Sequence, residues 1–195
     1  MELTNQTNHI LPTQPEAVHG APVKKTVSEV IVDYLVNEGV DTVFGIPGGA
    51  IIPLLASIER SPNISFVLAK HEGGAAFMAD CYARVSGKLG ACCATTGPGA
   101  TNLMTGVAAA YTDSIPMLVI TGMNPTDAWS LGDFQESTAY GVDTVAMFRH
   151  ITKLSDVIVS EKQLQPILRR AFNLAQTGRP GPVHLAIPRD ILSRA

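Results

Sequence analysis

Charge is sparse in this chain of 195 residues: Asp, Glu, Lys and Arg make up 16% of it, and 14 basic against 17 acidic side chains leave a formal net charge of −3. With so few cations and no long Lys/Arg run, the sequence excludes a nucleic-acid binder that works by neutralising phosphates. Cysteine is as scarce. Cys81, Cys92 and Cys93 form neither a CxxC pair nor a disulfide framework, so they are expected to be reduced, buried thiols of a cytoplasmic protein. The N-terminus lacks the basic end and apolar stretch of a secretory signal. Long apolar runs are missing too. The uncharged segment Leu89–Thr112 comes nearest, but Gly97, Pro98, Gly99 and several threonines interrupt it, so no membrane span is expected. Neither the GxGxxG dinucleotide pattern nor the GxxxxGK[ST] phosphate loop occurs. No His/Cys/Asp set has metal-ligand spacing, and Ser114 and Ser137 lack a nucleophile elbow.

What is present is apolar: 46% of the residues, enough for a substantial core, which rules out a wholly disordered chain. With so little charge, part of the surface is expected to be covered in the working molecule. Residues 1–24, rich in Asn, Gln, Thr and Pro, read as a flexible N-terminal arm. Thr26-Val27-Ser28-Glu29 is a capping box that opens a helix with Val27, Val30, Ile31, Tyr34 and Leu35 on one face and Gly39 as its stop. Strands are then expected at Thr42–Ile46, Ile64–Ala69, Gly90–Thr95, Met117–Thr121 and Pro182–Ile187. Helices are expected at Ala50–Ile58, Glu72–Val85, Ala100–Tyr111 and Glu161–Gln176, with 122–150 irregular or weakly helical. The alternation predicts an α/β three-layer sandwich: a mostly parallel sheet of about six strands with helices on both faces. The near-continuous apolar strand runs fit strands covered on both sides.

In such sheets the turns after the strands' C-terminal ends carry the chemistry. Four are unusual here: Pro47-Gly48-Gly49, His71-Glu72-Gly73-Gly74, Thr96-Gly97-Pro98-Gly99, and the segment from Gly122 onward. Taken singly, each glycine turn is explained by backbone geometry. Glu72 stands out, because it follows an apolar strand and opens a helix among small residues that permit close approach. A carboxylate serving the helix dipole accounts for it equally well. His71 reads as a packing or hydrogen-bonding residue. Cys92 and Cys93 must point to opposite faces of one strand and so belong to the core. Trp129, Phe134 and Gln135 fall in a long loop, which is either functional or a surface cover.

In combination these segments resemble the N-terminal, pyrimidine-binding domain of thiamine-diphosphate enzymes of the acetolactate synthase-like group. The resemblance rests on FGIPGG (44–49), KHEGGAAFMADCYAR (70–84), TTGPGATNLMTGVAAAYTDSIPMLVITG (95–122), GDFQE (132–136), ITK (151–153) and GRPGPVHLAIPRD (178–190). It covers about 25–192. It implies that Glu72 hydrogen-bonds N1′ of the cofactor's aminopyrimidine and favours the imino tautomer, whose nitrogen removes the thiazolium C2 proton. Gly73, Gly74 and Ala75 would let the ring approach. Thr96, Pro98 and Asn102 would bind the cofactor, and Gly48 and Gly49 would lie near the reacting carbon. Phe134 and Gln135 would face the 2-keto acid substrate, Gln135 with a catalytic part. The resemblance also implies a diphosphate-binding domain with a GDG pattern, absent from this sequence, that holds Mg2+, and in some members FAD. A second subunit would sit across the active site, so this segment alone is expected to be inactive. Two departures stand out: Gly122-Met123-Asn124 where the family usually reads Gly-Gln-Val, and Ser130–Glu136 where it reads a TDAFQE-like loop. Glyoxylate carboligase, sulfoacetaldehyde acetyltransferase and pyruvate oxidase types, or a non-catalytic binding domain keeping the fold, are the alternatives. Glu72 disfavours the first, which carries an apolar residue there.

Overall fold

The computed structural model describes residues 24–195, so the arm expected over 1–24 lies, Lys24 apart, outside the described residues. The elements run in chain order as α1 (Val27–Asn37), β1 (Thr42–Gly45), α2 (Ile52–Arg60), β2 (Ser65–Leu68), α3 (Glu72–Ser86), β3 (Gly90–Ala94), α4 (Pro98–Asn102), α5 (Met104–Thr112) and β4 (Met117–Met123). They continue as α6 (Thr144–Phe148), β5 (Ser155–Val157), α7 (Glu161–Gln176), β6 (Pro182–Pro188) and α8 (Arg189–Leu192). Among the described residues the strands form one sheet of order β2-β1-β3-β4-β6-β5, and every pair in it is parallel.

Local chemistry explains the elements that the sequence makes legible. The Thr26 hydroxyl accepts the Glu29 N–H at 3.3 Å while the Glu29 carboxylate accepts the Thr26 N–H at 2.8 Å, which satisfies two of the orphan donors at the start of α1. Gly39, at φ +82°, lets the chain leave the helix. The core lies on both faces of the sheet. One layer joins Ile31, Leu35, Leu54, Leu168 and Phe172 to Cys93, Leu118 and Leu185. The other joins Ala75, Ala79, Leu103 and Val107 to Cys92, Met117 and Val119. The two cysteines thus divide between the layers as the pleat requires.

Three expectations need correction. Cys81 is exposed, because it lies on the outer side of α3. The run at β2 is not covered on both faces: β2 is the sheet's edge, and Leu68 is 66% exposed. The helix expected at Ala100–Tyr111 starts earlier and breaks at Leu103, whose N–H bonds the Ala100 carbonyl three residues back, a local tightening of the spiral. Strand β5 escapes a reading by apolar runs because it is three residues, Ser-Asp-Val, at the other edge.

His184 shows how the sheet handles a buried polar group. It is fully buried in β6 and stacked on Phe148, with ring centroids 4.1 Å apart. The Ser155 hydroxyl donates to the Val145 carbonyl (2.8 Å) and so must accept from His184 Nδ1–H (2.8 Å). That leaves Nε2 to accept the Thr121 hydroxyl (2.8 Å). The neutral ring is fully bonded, and burial pushes its pKa from 6.5 down to about 3. The unfolded chain therefore binds a proton that the folded one refuses. This contribution is whole above pH 6.5 and is lost as pH falls toward 3. At pH 5 it removes about 2 kcal/mol of stability relative to pH 8. Urea melts of the wild type and His184→Gln at both pH values check this. An equal pH slope in the two proteins would exclude His184 as its source.

Candidate functional site

The chain runs from β1 outward to β2 and then crosses back to β3 on the other side of β1. The C-terminal ends of β1 and β3 therefore form a crevice at a topological switch point, where open parallel sheets place their ligands. The predicted residues gather at this end of the sheet, around the Thr95–Gly99 turn. Gly48 packs directly on that turn: a Cβ at Gly48 would lie 2.5 Å from Thr95 Cβ, whereas one at Gly49 would meet nothing within 4 Å. Gly48 is thus required by the approach of two turns, and Gly49 leaves open space.

Helix α3 begins beside this crevice. His71 is its N-cap, and Nδ1 accepts the Gly73 N–H at 3.0 Å. Glu72 is the first helical residue, where the backbone N–H groups favour an anion. Its Oε2 accepts Asn102 Nδ2 at 2.9 Å. Asn102 ends α4, 30 residues along the chain. Among the described residues no donor reaches Glu72 Oε1, which lies over Gly99: a Cβ there would come 3.4 Å from that oxygen and 2.8 Å from Thr95 Cγ2. Pro98 and Asn102 are exposed on the same side. Of the small residues expected to admit a ring, Gly74 borders open space, and Gly73 is held close to the Asn102 carbonyl. Ala75 is fully buried against the sheet, so its smallness serves packing within the fold.

The other side of the turn carries a cleft of about 340 Å³ lined by Gly49, Thr95, Met123, Phe134, Gln135 and Arg189. Its rim is the loop after β4. Phe134 is 80% exposed and Gln135 has φ +56°. The loop is tied down from inside. Trp129 Nε1 donates to the Asn124 carbonyl at 2.9 Å. Buried Glu136 accepts the Thr138 hydroxyl (2.6 Å) and the Ser130 N–H (2.8 Å), bonds that hold its carboxyl below the usual range. Thr96 is turned inward: its Oγ1 accepts the Ser137 hydroxyl at 2.6 Å and shares its one proton between Asn124 Oδ1 at 3.0 Å and the Gln135 carbonyl at 3.1 Å. It anchors the loop from behind.

The predicted residues therefore form two clusters flanking one turn: Glu72, Pro98 and Asn102 on one side, and Gly49, Phe134 and Gln135 on the other. Gly99 touches both, being near Thr95 and Glu72 Oε1. Sequence reading passed over Thr95 and Arg189 as site residues. Their positions just past β3 and β6 were the available signal. Among the described residues no group of three His, Cys, Asp or Glu side chains is placed to hold a metal ion.

The family described as thiamine pyrophosphate enzyme, N-terminal TPP binding domain, matches residues 25–147. A probable acetolactate synthase large subunit of Methanococcus aeolicus is 44% identical over 164 residues, covering 84% of this chain and 26% of that protein. The mitochondrial acetolactate synthase catalytic subunit of Saccharomyces cerevisiae is 44% identical over 166 residues, 85% of this chain and 23% of that protein. The acetolactate synthase isozyme 1 large subunit of Escherichia coli is 42% identical over 166 residues, 85% and 29% respectively. The chain thus spans about a quarter of the length of these relatives. With that family matched over most of the described residues and relatives more than 40% identical over most of the chain, the chain belongs to the thiamine pyrophosphate enzymes through their N-terminal TPP-binding domain.

Proposed function

We propose that residues 25–192 form the pyrimidine-binding domain of an acetolactate synthase-type carboligase, which decarboxylates pyruvate and joins the two-carbon unit to a second 2-keto acid in branched-chain amino acid biosynthesis. The observation that carries this is the Glu72 carboxylate, oriented through Oε2 by Asn102 and left with Oε1 beside Gly99 without a donor among the described residues. That donor set fits a flat ring nitrogen: one carboxyl oxygen is held and the other is available to hold or share a proton. Open space at Gly74 and Gly49 fits a planar ligand crossing from one cluster to the other. Thiamine diphosphate, when bound, supplies an acidic ring carbon that becomes the nucleophile toward a keto group. Glu72 would hold a proton at Oε1 toward N1′ of its pyrimidine, Pro98 and Asn102 would flank that ring, and Thr96 would brace the loop that offers Phe134 and Gln135 to the keto acid.

The same reading assigns the diphosphate, with Mg2+, to a separate domain, and FAD to a further one in the complete enzyme. It makes the enzyme a cytoplasmic homodimer whose site is completed by the second subunit. No helix among the described residues is long and apolar enough to cross a membrane. The alanines of α3, and Ala110 of α5, pack inward: a Cβ at Gly106 would lie 2.6 Å from Ala76 Cβ. The exposed apolar groups are instead Phe77, Met78, Val85 and Tyr111. Such a patch favours pairing, so light scattering of this domain is expected to report concentration-dependent association. A strict monomer at high concentration would count against the subunit assignment.

The direct test is product analysis with the complete enzyme, pyruvate and thiamine diphosphate. Cofactor-dependent acetolactate formation is expected, and release of carbon dioxide without condensation would overturn the carboligase reading.

A further inference from the structure

A buried primary amide has two N–H donors and a carbonyl oxygen with two lone pairs, and each needs a partner. Asn124, the residue after β4, is 4% exposed; both its donors and one lone pair of its oxygen are partnered, and the second lone pair shares the Thr96 proton with the Gln135 carbonyl. Its Oδ1 accepts the Ser137 N–H at 3.2 Å and lies 3.0 Å from the Thr96 hydroxyl. Its Nδ2 donates to Asp133 Oδ2 at 2.8 Å and to the Phe134 carbonyl at 2.9 Å. The amide fits one way only, since a backbone N–H faces one end and two acceptors face the other. Asn124 is therefore the tie between the end of β4, the Thr96 turn and the segment 133–137.

What this tie restrains is the rim of the cleft. Gln135 sits at φ +56°, a conformation that costs an L-residue about 1 kcal/mol or more and persists only when its surroundings impose it. Asn124 grips the backbone on both sides, at Phe134 and at Ser137, and Thr96 meets the Gln135 carbonyl between them. Phe134, 80% exposed, has little packing to direct it, so its direction follows from the backbone. We propose that Asn124 is a positioning residue that locks the 133–137 turn, aims Phe134 and Gln135 at the cleft, and so sets its affinity for the keto acid. The substrate part of this rests on the function proposed above.

The test compares Asn124→Leu, close in size but without hydrogen bonds, with Asn124→Asp, which sets a carboxylate oxygen against the Asp133 carboxylate and the Phe134 carbonyl. In the complete enzyme, Asn124→Leu is expected to raise the keto-acid KM about tenfold or more, with kcat changed less than about threefold, since Glu72 is untouched and saturating substrate reseats the loop. Asn124→Asp should raise KM further. Trp129, the one tryptophan of these 195 residues, bonded to the Asn124 carbonyl, gives a second readout that needs no substrate: its emission, taken as the difference from a matched Trp129→Phe control, should move to longer wavelength in both variants as the loop opens. If Asn124→Leu melts too low to assay, Asn124→Ser, which drops both amide donors but stays polar, carries the same expectations. A folded variant with wild-type KM and emission overturns the proposal. A wild-type enzyme that makes no thiamine diphosphate-dependent product overturns the proposed function instead, and Trp129 emission then decides the loop's anchoring by itself.

Discussion

Glu72→Gln is expected to slow hydrogen–deuterium exchange at C2 of the bound cofactor by roughly 10²-fold or more, the scale of lost general acid–base catalysis. Folding should be nearly unchanged. Glutamine keeps the length and planarity of the side chain, and its amide oxygen takes over the bond to Asn102 that Glu72 Oε2 makes now. The nitrogen then stands where Oε1 stands, as a donor with no proton to share. If Glu72 did nothing beyond complementing the dipole of α3, the substitution would cost a few tenths to about 1 kcal/mol of stability and spare exchange. Measuring C2 exchange and thermal melting on the same preparation separates the two. Wild-type exchange in the variant would remove Glu72 from the chemistry.

Gly97→Ala should damage both stability and the cleft. Gly97 has φ +56° and ψ −118°, a backbone conformation that a Cβ strains by about 1–3 kcal/mol. The added methyl would also lie 2.9 Å from the Gln135 carbonyl oxygen and 2.9 Å from its Cβ, so the 133–137 turn would have to move. Together these effects are expected to cost about 3 kcal/mol, roughly a 10 °C fall in Tm for a domain of this size. Gly132→Ala is the internal control: φ is +74° there, but its Cβ would meet nothing within 4 Å, so only the smaller backbone cost of about 1 kcal/mol applies. Equal losses in the two variants, by calorimetry, would show that the close approach of Gly97 to Gln135 contributes nothing.

Neither substitution could have been ranked from local pattern. Gly97 and Gly132 look alike in a glycine-rich turn and a loop, and their difference is the presence of Gln135 against one of them. Thr96 carries a cofactor-binding expectation because it sits in the right turn, and its hydroxyl faces Asn124, Gln135 and Ser137, between 28 and 41 residues away. Ala75 was grouped with its glycine neighbours, although one step along a helix turns a side chain by about 100° and carries it from the crevice to the core. Cys81 and β2 are exposed for a related reason: apolar composition reports that a segment can be buried, while exposure depends on whether a neighbour arrives.

The alternation of apolar runs with capped helices was sufficient, before any coordinates, to imply a parallel sheet with helices on both sides, and the glycine turns after its strands marked the end where chemistry would lie. Those inferences rest on periods of two and 3.6 residues and on hydrogen-bonding rules that act within a few residues. The strand order, which makes β1 and β3 the walls of a crevice, was decided only in the tertiary structure. So were the pairing of Glu72 with Asn102, the division of the site into two clusters about Thr95–Gly99, and the burial of Asn124 under its own loop. Each depends on residues far apart in the chain meeting, at 2.6–3.0 Å where they hydrogen-bond, a distance that close packing of the whole domain sets and that no local periodicity encodes.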